Sequence, residues 1–336
     1  DDRLKTAMGY KLAAVIADEA DKENQPTDPD RFDSDDLLER EASYGKSGFA
    51  LQFMLDVSLS DADKYPLKLN DFIVMSGPSS WSEAPVSVQW ASGKEQIDSV
   101  KQLPNLGLKA DYWAAPMNTA TDTAKWDGSV MSIDPAGRGK DETAYAVVKM
   151  IKGQLYLTAA GGLKNGYSED SLEVLCRVAK EQKVNKVVVE SNFGDGMFTQ
   201  LLKPVLTRVH PVSIEEVRHN ISKEKRMIDT LEPILNQHRL VVDDKVILQD
   251  YQSEVELKYK LFYQLTRLTR DKGSLIHDDR LDALSMAVGY WVETLDRDIQ
   301  KAMDDHKEDM LRIELDKFME SSIGRPQKRD NWINLK

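Results

Sequence analysis

Residues 129–190 constrain the fold most, because two strand patterns follow each other there. Three strand-like segments come first, SVMSID, AYAVVKMI and QLYLTAA, and Lys152-Gly153 between the last two predicts a hairpin. A helix capped by Ser168 comes next, with acidic residues in its first turn. The unbroken apolar run of NKVVVES is then typical of a strand in the middle of a sheet. This order predicts a mixed sheet.

The segments after residue 190 continue the alternation of helices and strands. We expect a helix over 196–208, a strand at PVSIEEV, a helix at SKEKRMIDTLEPILNQH, and a short strand at LVV. A helix at DKVILQDYQSEVELKY and a closing helix at HDDRLDALSMAVGYWVETL complete the pattern. The fold class is therefore α/β, a mixed sheet with helices on both faces.

The flanking segments differ in character from this core. We expect a mostly helical N-terminal segment, with helices over 4–23, from Ser34 or Asp35 onward, and in the apolar run FALQFMLDVSL. Residues 56–128 mix short strand-like pieces, DFIVMS and VSVQW, with Pro, Gly, Asn and Ser, and we interpret them as the end of an upstream domain and a linker. The tail after residue 298 alternates charges and ends in a basic segment that contains Trp332, which suits docking to a partner.

Composition excludes several classes of protein. The single Cys176 excludes an intramolecular disulfide framework and a cysteine-based zinc finger. No run of about 18 apolar residues is present, so we predict no membrane span. The net charge of −12 argues against a general nucleic-acid binder, but residues 1–64 alone hold 16 acidic and 8 basic residues. The remaining chain is therefore closer to neutral.

Carboxylates stand at corresponding ends of the predicted elements. Asp134 ends the first strand, and Glu190 ends an apolar strand where its burial is costly without a partner. Because ligands bind beyond the carboxyl ends of parallel strands, neighbouring strands would bring these two acids together. The closing helix begins with Asp278, Asp279 and, one turn later, Asp282. Each acid alone is typical of a turn or helix cap, but their combination favours a functional site.

Converging carboxylates repel each other unless cations lie between them. Oxygen-only ligands select hard cations, so we expect Mg²⁺ or Mn²⁺. Two such ions stabilise the attacking and leaving oxygens of a phosphoryl displacement. The acids therefore predict metal-dependent hydrolysis of a phosphodiester.

Three motifs resemble the nuclease domain of the large terminase subunits, the DNA-packaging motors of tailed bacteriophages. They are DPAGRGKDETA (134–144), VVVESNFGDG (187–196) and HDDRLDALSMA (277–287). The upstream SYGKSGFALQFML and KYPLKL resemble the version found in short-tailed phages. The resemblance covers most of residues 40–295 and implies a ribonuclease H-like fold. It also implies a two-metal endonuclease that cuts concatemeric double-stranded DNA.

The resemblance assigns roles to individual residues. Catalysis and metal binding would fall to Asp134, Glu190, Asp278 and Asp279, with the inner ligand of the last two left open. Asp282 would join them or orient Arg280, and we expect it to lie behind the direct metal ligands. Asn192 and Asp195 would line the DNA path, and His277 would contact phosphate. The implied partners are the portal ring of the procapsid and the small terminase subunit, within an oligomeric motor in the host cytoplasm.

Two basic stretches suit the DNA backbone under this interpretation. One runs over 203–226 and the other over 258–272. On their own such stretches are more often solvated helix faces, but beside a nuclease site they predict contacts to phosphates that do not depend on sequence. The candidate residues are Lys223, Arg226, Lys258, Lys260, Arg267 and Arg270.

The chain departs from the resemblance at the ATPase motifs. A phosphate-binding loop needs Gly five residues before Gly45, but position 40 is Arg, and Gly139-Lys140 is followed by Asp141 instead of Ser or Thr. We therefore predict no ATPase motif in this chain. The expected domains are the distal end of an upstream ATPase domain and its linker (1–110), the nuclease domain (111–298) and the docking tail (299–336).

Three other functions remain open from sequence. A Holliday-junction resolvase or transposase-like nuclease uses similar carboxylates on the same core. An actin-like or sugar-kinase-like nucleotide-binding protein also places an acid before a Gly-rich turn, as at 134–139, although no second phosphate loop is found here. A structural motor part would use the carboxylates only as caps.

Overall fold

The computed structural model describes residues 64–136, 142–191, 196–218 and 222–297, with isolated positions at 32, 33, 36, 37, 40, 307 and 310. The helices predicted over 4–23, from Ser34 or Asp35 and in the apolar run 49–59 fall wholly or mostly outside these residues. The same holds for the docking tail, the two Gly-Lys motifs, Asn192 and Asp195.

A seven-stranded mixed sheet forms the centre of the protein, in the order β1-β11-β8-β7-β6-β9-β10. Only β7 runs against the other six strands. The strands are β1 (Ile73–Met75), β6 (Gly128–Asp134), β7 (Thr143–Ile151), β8 (Gln154–Leu163), β9 (Lys186–Glu190), β10 (Ser213–Val217) and β11 (Leu240–Asp243). Because six strands are parallel, their carboxyl ends lie along one edge, where ligands bind in open α/β sheets.

Helices cover both faces of this sheet. The helices of the described chain are α1 (Lys94–Ser99), which has no buried residue, α2 (Glu169–Glu181), α3 (Met197–Val209), α4 (Lys223–Asn236), α5 (Asp244–Gln252), α6 (Leu261–Arg267) and α7, helical from residue 279 to the end of its compact unit at 289. On one face, Met131 and Ile133 of β6 share an apolar cluster with α2 and α3. On the other, the Ser132 hydroxyl donates a hydrogen bond to the Ala283 carbonyl of α7. The predicted α/β fold with two covered faces is confirmed.

The central strands contain few polar side chains because both of their faces are buried. Every residue of β6 is buried, and the three valines of β9 are 1–2% exposed. A strand covered on one face alternates apolar and polar residues, whereas one covered on both faces is apolar throughout. The apolar run that identified β9 in the sequence therefore reflects its place between β6 and β10.

Residues 64–127 contribute more to the sheet than their composition predicts. β1 lies here and pairs in parallel with β11, with Ile73 opposite Val241. Two small two-stranded sheets follow, β2 (Glu83–Pro85) with β5 (Thr123–Lys125) and β3 (Val88–Gln89) with β4 (Asn118–Thr119). The sequence marks DFIVMS, which contains β1, as strand-like, but three residues are too few for a periodic signal that would place them in this sheet. The domain boundaries near 110 and 298 stay predictions.

The helices near the end of the chain differ from their predicted bounds. The helix predicted over 244–259 ends at Gln252, and α6 begins after a short 3₁₀ turn at Leu257–Tyr259. The side chain of Asp250, near the end of α5, accepts hydrogen bonds from the Leu261 and Phe262 amides at the start of α6. α7 begins at residue 279, two residues later than the predicted start.

The chain divides into two compact units, Asp1–Gly289 and Tyr290–Lys336. In the second unit, residues 290–297 are helical. Among the described residues, no helix is both long enough and apolar enough to cross a membrane.

Lys149 of β7 is a buried cation whose position costs stability. Its side chain is 3% exposed, and its ammonium lies 5.3 Å from the centre of the Trp126 ring. Burial lowers the pKa of Lys149 from 10.5 to about 8, with the positive charge of Lys183 adding to the effect. The charged form of Lys149 is therefore less stable in the folded protein than in the unfolded chain.

We predict that Lys149→Met raises the free energy of unfolding at pH 7, on the order of 2 kcal/mol. Below pH 8 the lysine is charged in both states, so the full cost is present. Between pH 8 and 10.5 the folded state loses its proton first, so the wild type recovers stability and the gain shrinks. Urea unfolding at pH 7 and pH 10 measures both values, and an equal gain at the two pH values would contradict the assignment.

Candidate metal centre

The two strand-end acids are brought together by the register of β6 and β9. The strands are parallel, with Ile133 opposite Val189, so Asp134 and Glu190 occupy adjacent ends. Side chains alternate between faces along a strand, which places Asp134 on the same face as Ser132, the face that α7 covers. Asp134 is 7% exposed and Glu190 is 8% exposed. Their convergence, predicted from the strand ends, is therefore present in the fold.

The third acid of the cluster is Asp282, in the second turn of α7. The amide of Asp282 donates to the Asp278 carbonyl over 2.8 Å, which closes the first turn of the helix. Its side chain is fully buried. Asp134, Glu190 and Asp282 each offer a carboxylate oxygen, and these three oxygens lie within 4.8 Å of one another.

Two cations of α4 lie among these carboxylates. The Lys223 ammonium is 3.3 Å from Asp134 Oδ2, 3.0 Å from Asp278 Oδ1 and 3.1 Å from Asp282 Oδ2. The Arg226 guanidinium donates through Nη2 to both oxygens of Asp282, over 2.6 and 2.8 Å, and through Nη1 to Glu190 Oε1 over 3.4 Å. Because Lys223 and Arg226 are three residues apart, one helix face presents both to the cluster.

The carboxylates in and beside the cluster outnumber these two cations. Five carboxylates, those of Asp134, Glu190, Asp278, Asp279 and Asp282, surround one lysine and one arginine, which leaves three negative charges when all ionise. Burial, and then the charges of neighbouring acids, raise the pKa of Asp134 and of Glu190. Lys223 opposes this shift at Asp134, and the same acids raise the pKa of the Lys223 ammonium. The cluster therefore favours a bound cation.

The other acids predicted on the closing helix lie beside the cluster. Asp278 contacts Lys223, and the charge of Asp279 raises the pKa of Asp134, but neither belongs to the group of mutually close oxygens. The spacing of four residues between Asp278 and Asp282 was the available sequence signal. It does not say which acid points inward, because that depends on how α7 is rotated. The metal roles of Asp278 and Asp279 stay predictions.

The six predicted DNA contacts have different surroundings. Lys223 and Arg226 lie in the carboxylate cluster. Lys260 is buried and donates to the Tyr251 carbonyl, and Arg267 donates to the carbonyls of Leu106 and Gly107. Lys258 pairs with Glu256, and Arg270 pairs with Glu232. Sequence reasoning could not separate these roles, because each partner lies elsewhere in the fold or on the next turn.

His277, predicted to contact phosphate, stacks on an aromatic ring. The centres of the His277 and Tyr259 rings are 4.1 Å apart, and the ring planes differ by 23°. The contact attaches the residue before Asp278 to the 3₁₀ turn in front of α6.

Comparison with known proteins identifies relatives of this chain. The large terminase subunit of enterobacteria phage T3 is 44% identical over 326 residues, which cover 94% of this chain and 54% of the relative. The family described as the ribonuclease H-like domain of the bacteriophage T7 terminase matches residues 133–240. The chain belongs to the large terminase subunit family. It spans about half the length of the curated relative that it matches.

The matched terminase domain contains Asp134, Glu190, Lys223 and Arg226, while Asp282 lies beyond it. Solved terminase structures resemble the chain more remotely. A manganese-soaked, inhibitor-bound human cytomegalovirus terminase nuclease domain has a TM-score of 0.38 and 15% identity, covering 58% of this chain and 92% of its own. The large terminase nuclease of thermophilic phage G20c has a TM-score of 0.38 and 10% identity, covering 67% and 98%. TM-scores this low do not establish a common fold by themselves.

We predict that Asp134→Asn stabilises this terminase chain when divalent metal is absent. The substitution removes one of the crowded charges and keeps the side-chain volume, while Lys223 retains Asp278 and Asp282. In EDTA at neutral pH the free energy of unfolding should rise by about 1 kcal/mol or more. With Mn²⁺ in millimolar excess the order should reverse, because the ion stabilises only a protein that binds it. Thermal unfolding under both conditions tests this, and a variant less stable than the wild type in EDTA would contradict it.

Proposed function

We propose that this chain carries the metal-dependent endonuclease of a viral DNA-packaging terminase. The observation that supports the proposal is the group of three buried carboxylate oxygens, within 4.8 Å of one another, at the carboxyl edge of the sheet. Burying three acids so close together costs stability unless a cation compensates them. A structural cap needs only one acid and no such convergence, so the geometry favours a working site.

Asp134, Glu190 and Asp282 fit a hard divalent cation, because all three provide oxygen ligands and their cluster carries excess negative charge. We propose Mg²⁺ or Mn²⁺, and two ions in the working site. Asp278 is the candidate for a second ion because it shares the Lys223 ammonium with Asp134. Such ions supply positive charge that stabilises the attacking and leaving oxygens of phosphodiester hydrolysis.

The chain's own residues prepare this site in two ways. Arg226 donates through Nη2 to both oxygens of Asp282 and through Nη1 to Glu190, which links these two carboxylates and restricts their orientation. Lys223 supplies a positive charge between Asp134 and Asp278, where a phosphate of the substrate would meet otherwise negative side chains. A cation at this place reduces the repulsion between the acids and an approaching DNA backbone.

The substrate we propose is concatemeric double-stranded DNA, cut during genome packaging. The terminase relative of phage T3 and the matched terminase domain support this choice over a junction resolvase, and no observation favours an actin-like nucleotide-binding protein. The proposed partners are the portal ring and the small terminase subunit, in an oligomeric motor in the host cytoplasm. We further propose that this chain lacks a competent ATP-binding loop.

We predict that the purified protein nicks supercoiled plasmid in Mn²⁺ or Mg²⁺ and that EDTA abolishes the cutting. Asp134→Ala and Glu190→Ala should each reduce the rate by about 100-fold or more, because each removes a ligand of the proposed ions. Asp282→Asn should lose activity as severely, whereas Asp279→Asn should lose less, since Asp279 lies outside the close group. Gel analysis of relaxed and linear plasmid measures these rates.

Asp98→Ala is the matched control, because Asp98 is an exposed carboxylate of α1 that pairs only with Lys101 among the contacts described. It should cut at the wild-type rate. Folding of every variant is checked by circular dichroism. Undiminished cutting by folded Asp134→Ala and Glu190→Ala proteins would show that the site lies elsewhere.

We predict that DNA affinity depends on Lys258 and Arg270, two candidate basic residues outside the carboxylate cluster whose side chains reach solvent. The side chains of Lys258 and Arg270 are 34% and 58% exposed. Reversing both charges should weaken binding of duplex DNA and flatten its dependence on salt by roughly 0.9 per lost phosphate contact. Lys101→Glu, at an exposed lysine two residues after the end of α1, is the control. Unchanged binding of the double variant, measured by fluorescence anisotropy at two salt concentrations, would place the DNA path elsewhere.

A further inference from the structure

A second group of charged side chains lies buried next to the carboxylate cluster. Arg280, in the first turn of α7, donates to Glu142 Oε2 through Nε over 3.1 Å and through Nη2 over 2.9 Å. Its Nη1 donates to Asp250 Oδ1 over 3.0 Å. All three side chains are at most 4% exposed. We call Glu142, Asp250 and Arg280 the arginine network.

Stability alone does not explain such a network. Taking ions out of water has a cost that their attraction rarely exceeds, so apolar side chains of similar volume commonly serve as well or better. The fold also leaves space for it at Gly162 of β8. A Cβ there would overlap the Glu142 carboxylate and lie 2.9 Å from Arg280 Nε. Burial of the network therefore lowers stability, and β8 accommodates the network by having glycine at position 162.

The network joins the segments that carry the metal-binding acids. Glu142 precedes β7 and therefore ends the connection that begins after Asp134. Asp250 accepts hydrogen bonds from the first amides of α6, and Gln264 of α6 in turn accepts one from the Leu281 amide of α7. Arg280 is thereby held by Glu142, next to β7, and by Asp250, which also binds the first amides of α6.

Arg280 and Asp282 lie on opposite sides of α7. Two residues correspond to a rotation of about 200° around a helix, so a helix that holds Arg280 on one side directs Asp282 to the other. Asp282 is the acid that this orientation brings to Asp134 and Glu190. A small rotation of α7 would separate its carboxylate from theirs.

We propose that Glu142, Asp250 and Arg280 are positioning residues that fix the rotation of α7, so that Asp282 completes the metal-binding group. The inference rests on the proposed function, since it assigns these residues a role toward the metal. It goes further by predicting that a network without contact to the ion sets the affinity for it.

The test is Mn²⁺ affinity without DNA, measured from the electron paramagnetic resonance signal of free Mn²⁺ on the full chain. Arg280→Lys keeps the charge but loses the fork, and Glu142→Gln keeps the shape but loses an ion. Each should weaken Mn²⁺ binding by about 10-fold or more, the usual effect of removing a group that orients a metal ligand. Gly162→Ala should do the same, because it displaces the network without changing its charges.

Arg239→Lys is the matched control. Arg239 donates through Nε and Nη2 to the Gly153 carbonyl, at the β7–β8 turn and the opposite end of β7 from the acids. This variant should lower the thermal stability in EDTA but keep wild-type Mn²⁺ affinity. Thermal unfolding of all variants in EDTA separates loss of fold from loss of positioning.

The outcomes distinguish this inference from the proposed function. If the wild type binds Mn²⁺ and Asp282→Asn does not, while folded Arg280→Lys, Glu142→Gln and Gly162→Ala bind like the wild type, the positioning role is overturned and the metal site stands. If Arg239→Lys weakens Mn²⁺ binding as much as they do, the effect is general destabilisation, which also overturns it. If the wild type binds no Mn²⁺, the proposed function fails and the inference fails with it.

Discussion

The carboxylates at the ends of β6, β9 and α7 repel one another, and the surrounding structure is arranged to keep them together. The register of two parallel strands brings Asp134 and Glu190 to one edge, and Lys223 and Arg226 supply the opposite charge from α4. Together, these two cations do not neutralise the negative charge of the carboxylates. A bound divalent cation would reduce the remaining repulsion between these carboxylates. Metal binding at this site would therefore also stabilise the folded protein.

The parts of this site that were predictable from sequence are those that depend on local pattern. The apolar run of β9 identifies a buried strand, and an acid at the end of such a strand is costly to bury without a partner. The order of strands and helices then determines the fold class. For the same reason Asp134 and Glu190 were predicted to lie together, and they do.

Features that depend on contacts between distant segments were not predictable. The choice among Asp278, Asp279 and Asp282 depends on the rotation of α7, which contacts from β7 and α6 determine. Lys223 and Arg226 read as part of a basic surface because their acidic partners are 36 or more residues away. β1 lies in the strand-like DFIVMS, but its place in this sheet follows only from its pairing with β11. Long-range packing decides each of these cases.

The position of β1 has a mechanical consequence for a protein of this family. β1 is the edge strand that connects the sheet to the residues before it, and β11, β8 and β7 separate it from β6. Tension on the chain upstream of Leu67 would therefore act first on this margin of the sheet, on the buried side chains of Leu67, Leu69 and Phe72 and on the three parallel residue pairs of β1 and β11. Strain applied upstream is therefore borne first at a distance of three strands from β6 and the carboxylate cluster.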